Sequence, residues 1–162
     1  MNRIRVRTIA FLALVIAATT ATLAMAQMKP EDAIRARQSI MRVMLLNVGP
    51  LAGMAQGKIP FNKDVFTANA LRLESVWAMN PAQYFLPGTD KPVPGSMIAG
   101  FTHAKPEIWS EPAKFKEAQE RASDAIGKLA QATRSGDEGA MKAAVGDVGK
   151  ACANCHDHFR SK

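Results

Sequence analysis

The sequence predicts an all-α protein, an antiparallel four-helix bundle. Apolar residues recur at three- and four-residue steps in four separate stretches, which is the signature of helices that bury one face. Glycine and proline cluster between those stretches and mark the connections. Aromatics make up only 6% of the chain, and the abundance of Ala, Met and Lys favours helices over sheets. At 162 residues the chain is long enough for one domain with a core of its own.

Residues 1–26 read as a secretory signal peptide. Arg3, Arg5 and Arg7 form a basic start, Ile9 to Ile16 is apolar, and Ala24-Met25-Ala26 matches the small-x-small cleavage pattern. The apolar part is short for a membrane span, so cleavage after Ala26 is favoured over an uncleaved anchor. Cleavage places the domain at residues 27–162, in the periplasm, with no membrane attachment. The formal charge of +7 then falls to +4 with the loss of the three leader arginines. No stripe of clustered basic residues interleaved with aromatics is present, which argues against nucleic-acid binding.

The first helix is expected near Pro30, a residue suited to the first helical position, with Glu31 and Asp32 complementing the helix dipole. Its apolar stripe reads Ile34, Met41, Leu45 and Val48, interrupted by Arg37 and Gln38. Gly49-Pro50 should kink or locally break it, and Gly57 should end it. A second helix is expected from about Lys63 to Met79, with Val65, Phe66, Leu73, Val76 and Trp77 as its apolar face. Asn69 is expected at the edge of that face, reaching water. Residues 80–106 carry too many prolines and glycines for a long helix. A third helix should start near Ser110-Glu111-Pro112, with Ser110 as N-cap, and end at Ser135-Gly136. Its stripe is Phe115, Ala118, Ala122, Ile126, Leu129 and Ala132. The fourth runs from about Asp137 to Phe159, with Met141, Val145, Val148, Cys152, Cys155 and Phe159 on one seam.

That last seam carries the chemistry. Cys152-Ala153-Asn154-Cys155-His156 is C-x-x-C-H, the attachment site of a c-type haem. Two thiols add across the two vinyl groups of one porphyrin, and the next residue offers an imidazole to the iron. On a helix, Cys152 and Cys155 lie about one turn apart, and His156 lies one turn on from Cys152. Three other readings compete. A zinc site wants four N or S ligands, and only His103 and His158 remain outside the motif. A redox-active pair usually sits where a helix begins, and this one sits near a helix end. A structural disulfide leaves His156 unexplained. Covalent haem c, with His156 on the metal and both cysteines as tethers, accounts for all three residues, and export agrees with it.

The chain resembles the cytochrome c prime family across nearly all of residues 27–162. The resemblance rests on Lys29-Pro30-Glu31-Asp32, Arg37-Gln38, Phe85 to Thr89, Lys105 to Trp109, Gly146 to Gly149, and Cys152 through Arg160. The haem motif near the C-terminus followed by Phe159-Arg160 is the most specific of these. Only six residues follow His156, and none is Met. The resemblance implies roles for further residues. Arg37 and Gln38 resemble residues beside the haem propionates, Thr102 a haem-contacting loop position, and Arg160 a basic residue flanking the proximal histidine. Met41 falls where the family places the residue over the distal iron face. Most of the family leaves that face without a ligand, with a five-coordinate, high-spin iron. A close low-spin branch ligates iron with a Met at the corresponding place.

The function implied is that of a periplasmic haem protein that binds nitric oxide and carbon monoxide, with some capacity for electron transfer. The rival is a low-spin electron carrier with Met41 as sixth ligand. A true enzyme, such as a nitric oxide reductase, ranks below both, because the sequence shows no second metal and no proton relay. The resemblance also implies a homodimer through the first two helices. Lys142 and Lys150 read as a solvated face able to draw an acidic redox partner. His103 and His158 read as solvated side chains, and Trp77 and Trp109 as core or interface anchors.

Overall fold

A computed structural model describes residues 28–93 and 101–162. The expected signal peptide and its cleavage point lie outside the described residues. Four long helices form the bundle: α1 Pro30–Ala55, α2 Lys63–Trp77, α4 Pro112–Ser135 and α5 Glu138–Phe159. The long connection between α2 and α4 contains a 3₁₀ turn, Pro81–Tyr84, and a short helix α3, Glu107–Ser110. No helix among the described residues is long and apolar enough to cross a membrane.

Each helix packs on two neighbours, in the ring α1–α2–α4–α5. Local chemistry fixes the ends. The Asn62 side chain accepts from the Val65 amide at 3.0 Å, and Asp137 accepts from the Ala140 amide at 2.8 Å. Gly136, at φ 76°, ends α4 in the left-handed conformation. The expected N-cap, Ser110, instead closes α3. Glu111 takes the cap position of α4 without a capping side-chain bond.

The main core joins all four long helices, with Met44 and Leu51 from α1, Phe66 and Leu73 from α2, Ile126 and Leu129 from α4, and Met141 and Val148 from α5. A smaller cluster forms at the end of α5 from Ile108, Ala118 and Phe159, with Phe85, Trp109 and Phe115 packed against it.

Several expectations need correction. The buried face of α1 is Ile34, Arg37, Ile40, Met44, Asn47, Leu51 and Met54. It includes two polar residues that an apolar pattern passes over, whereas Leu45 is 68% exposed. Pro50 does not break α1. The carbonyl it leaves without a donor belongs to Leu46, on the exposed side of the helix. In α2, Val65 is exposed and Asn69 is buried, the reverse of the reading. Asn69 Nδ2 donates to the Val65 carbonyl at 2.7 Å, which meets its polar need within its own helix. In α4, Phe115 and Ala132 are half-buried, while Ala125, Ala130 and Thr133 are buried.

His158 is exposed as expected, but it is not free. Its Nε2 lies 2.6 Å from Glu111 Oε2, which also receives Lys114 Nζ at 3.1 Å. The hydrogen bonds from His158 and then Lys114 hold the Glu111 carboxyl below its ordinary value of 4.5. A carboxyl depressed on folding contributes stability above pH 4.5 and loses it as pH falls through the lower folded value. Glu111→Gln is therefore expected to flatten the stability profile below about pH 4.5, read by denaturant titration at a series of acid pH values.

Candidate haem site

The C-x-x-C-H turn lies in the last two turns of α5. Both cysteines are free thiols and half-buried. Cys152 packs against the main core, and Cys155 against the smaller cluster. The motif thus straddles the seam between the two apolar bodies. Burial pushes both thiols up, Cys155 to about 11, with the charge of Cys152 adding to the shift. A redox-active pair needs a thiol lowered by a helix start, and this environment does the opposite. Among the described residues, no group of three or more His, Cys, Asp or Glu is placed to hold a metal, which disfavours the zinc reading.

His156 is half-buried. Burial lowers its pKa first, the charge of Arg160 lowers it further, and Asp157 opposes them. The imidazole is therefore held toward its neutral form, the form that ligates a metal. Arg160 is itself exposed. Its amide donates to the His156 carbonyl at 3.0 Å, and it forms a single antiparallel bridge with Ala104.

On the neighbouring helix α1, Arg37 is 4% exposed. Its Nη1 donates to Thr89 Oγ1 at 2.6 Å and the Tyr84 carbonyl at 3.3 Å. Its Nη2 donates to the Thr89 carbonyl at 2.5 Å and Thr102 Oγ1 at 2.6 Å. Every one of these acceptors is neutral. Burial lowers the guanidinium pKa to about 10, and Asp90 offsets this only through its charge. Arg37 is thus a buried cation with no carboxylate in contact, a site suited to the nearby acid groups of a cofactor. Gln38 is exposed, and its side-chain amide donates to the Phe101 carbonyl.

Arg37 and Thr102, two of the residues singled out by resemblance, are therefore in direct contact. Met41, one turn after Arg37, is half-buried and packs against the same core cluster as Cys152. Thr89 was missed. It is fully buried and takes two bonds from Arg37, 52 positions away in sequence. The Thr-Asp pair beside a Pro-Gly turn is its only local signal. Trp109 anchors the connection through Nε1, which donates to the Phe85 carbonyl at 3.1 Å. Lys142 and Lys150 are paired with Glu138 and Asp147 on their own helix, as expected of a solvated face. His103 is exposed.

The residues present fit a covalent haem. Two unpaired thiols and an imidazole held toward its neutral form share one end of α5, apolar bodies lie on both sides, and a buried cation stands on the neighbouring helix α1.

Comparison with known proteins agrees. The family model described as Cytochrome C' matches residues 32–160. The cytochrome c' of Rubrivivax gelatinosus is 42% identical over 134 residues, covering 83% of this chain and 98% of that one. Its crystal structure gives a TM-score of 0.74. The nitric oxide complex of a variant of cytochrome c prime from Alcaligenes xylosoxidans is 37% identical. It covers 84% of this chain and 98% of its own, with a TM-score of 0.72. A carbon monoxide-bound variant of the same protein gives 0.71, at 37% identity over 83% of this chain and 98% of that one.

Proposed function

The chain belongs to the cytochrome c' family, and from that premise we propose that it binds nitric oxide and carbon monoxide at a five-coordinate, high-spin haem iron in the periplasm. The family's cofactor is covalent haem c, and the two cysteines of this chain suit a C-x-x-C-H attachment. Bound there, the haem would supply an iron able to take a diatomic gas. The observation that carries the reading is the C-x-x-C-H turn seated between two apolar clusters, its imidazole held neutral.

The chain's own residues divide the work. Cys152 and Cys155 fix the cofactor to α5. His156 would supply a ligand to the iron, and its burial, then the charge of Arg160, favour the proton-free imidazole. Met41 would cap the gas-binding side with an apolar thioether, which offers no N–H or O–H to a bound gas. Nitric oxide and carbon monoxide depend on such a donor less than dioxygen does. Arg37 and Gln38 would stand beside the propionates, one as a buried charge and the other as an exposed amide.

A second reading has one observation in its favour. Met41 and Cys152 pack against the same core cluster, so the Met41 side chain lies on the core side of α1. This reading makes Met41 the sixth ligand of a low-spin electron carrier. The oxidised spectrum separates the two, because a sulfur-to-iron band at the red end, lost in Met41→Ala, marks the carrier. For the gas-binding reading, the ferrous spectrum is expected to change on adding nitric oxide, and an unchanged spectrum rejects it.

Two further parts belong to the proposal. Export ends with cleavage after Ala26, which sequencing of the mature N-terminus tests. Val43, Leu45 and Leu46 on α1 and Val65 on α2 are 43–68% exposed, and they suit burial in a homodimer through the first two helices.

A further inference from the structure

Arg37 and His156 stand on different helices with no hydrogen bond between their side chains, yet two paths link Arg37 to the turn that carries His156. The first is polar. Thr102 Oγ1 accepts from Arg37 Nη2 at 2.6 Å and from the Ala104 amide at 3.1 Å. Ala104 forms the bridge with Arg160, flanked by Lys105 N to the Phe159 carbonyl at 3.0 Å and Ser161 N to the His103 carbonyl at 2.8 Å. Lys105 Nζ adds a bond to the His158 carbonyl at 2.7 Å. The Arg160 amide then donates to the His156 carbonyl. The second path is aromatic. The Arg37 guanidinium lies 4.8 Å from the centre of the Phe85 ring. Phe85 meets Phe115 edge-on at 5.1 Å, and Phe115 meets Phe159 edge-on at 5.1 Å. Phe159 is three residues past His156.

Arg37 is where both paths begin. Its terminal nitrogens have four N–H groups, and the protein accepts four bonds from them. That use is geometric and leaves only Nε–H for any other acceptor. A lysine in its place keeps the charge, but one nitrogen cannot span acceptors at Tyr84, Thr89 and Thr102.

We propose that Arg37 is a positioning residue for His156. It grips two pieces of the long connection, residues 84–89 and 101–105, and these in turn clamp the last turn of α5. The stiffness of the histidine side of the iron is thereby set from α1, through hydrogen bonds and ring contacts and not through charge alone. This inference rests on the proposed function for its meaning at the iron, while the clamp itself is a property of the polypeptide.

The test uses the protein as purified, with Arg37→Lys, Thr102→Val and Thr102→Ser. Amide exchange at Lys105 and Ser161, the two donors flanking the bridge, is expected to accelerate about tenfold or more in Arg37→Lys and Thr102→Val. Thr102→Ser, which keeps the hydroxyl, is expected to stay near wild type, as are the α2 amides in all three. The iron–imidazole stretch of the ferrous protein, read by resonance Raman, is expected to shift or broaden in the same two variants and return in Thr102→Ser. Unchanged exchange at both donors in both disruptive variants overturns the clamp. Faster exchange with an unmoved iron–imidazole stretch overturns the positioning role. A protein without covalent haem sinks the proposed function and with it the role at His156, while the exchange arm still decides the clamp.

Discussion

Arg37→Met is expected to destabilise the purified protein by about 2–3 kcal/mol, read by denaturant unfolding at neutral pH. The size follows from what the guanidinium leaves behind. The Thr89 carbonyl, in a residue with no solvent exposure, loses its donor outright. Thr89 Oγ1 still donates to the Leu86 carbonyl, and Thr102 Oγ1 still accepts from Ala104, so these two lose only part of their bonding. The methionine recovers some of the loss, because a buried cation without a contacting carboxylate carries a desolvation cost, seen in its lowered pKa. A variant as stable as wild type shows that the Arg37 bonds and that desolvation cost cancel.

The second large effect is expected at Met41. Under the gas-binding reading, a ligand approaching the iron must displace the Met41 side chain, and crowding of this kind costs about 1–3 kcal/mol. Met41→Ala is then expected to raise carbon monoxide affinity about tenfold to a hundredfold, with the oxidised spectrum unchanged. The same change takes a half-buried side chain from the core edge, with a stability loss of about 1–2 kcal/mol. The sixth-ligand reading expects a different result, a conversion of the oxidised spectrum from low to high spin. One variant and two measurements thus separate the two roles.

The reach of the sequence differed between the elements and the contacts. Helix bounds set by local chemistry were legible: Pro30 at the start of α1, Lys63 at the start of α2, Gly136 as the stop of α4 and Asp137 beside the start of α5. The C-x-x-C-H turn was legible because its meaning lies in five adjacent residues. The facing of α1 was misread at Leu45, and the reason is physical. Its buried side includes Arg37 and Asn47, while Val43, Leu45 and Leu46 face outward, so apolar residues occupy both sides. Asn47 and Asn69 sit inside because each donates to the carbonyl four residues back, a bond no pattern of hydropathy reveals. The hub at Arg37 was only half visible. Thr102 was reachable through family resemblance, but Thr89 meets Arg37 only through the folding of the long connection.

The placement of the two thiols also bears on the order of assembly. Each is held above its usual pKa by apolar neighbours, so the folded chain keeps them as poor nucleophiles. In an open chain, with those neighbours still solvated, the thiolate fraction is higher and both sulfurs are within reach. Bond formation to the porphyrin is thus favoured early, while the last turns of α5 are unpacked. Attachment is therefore expected to come before the final docking of that helix, when both thiols are more readily ionised.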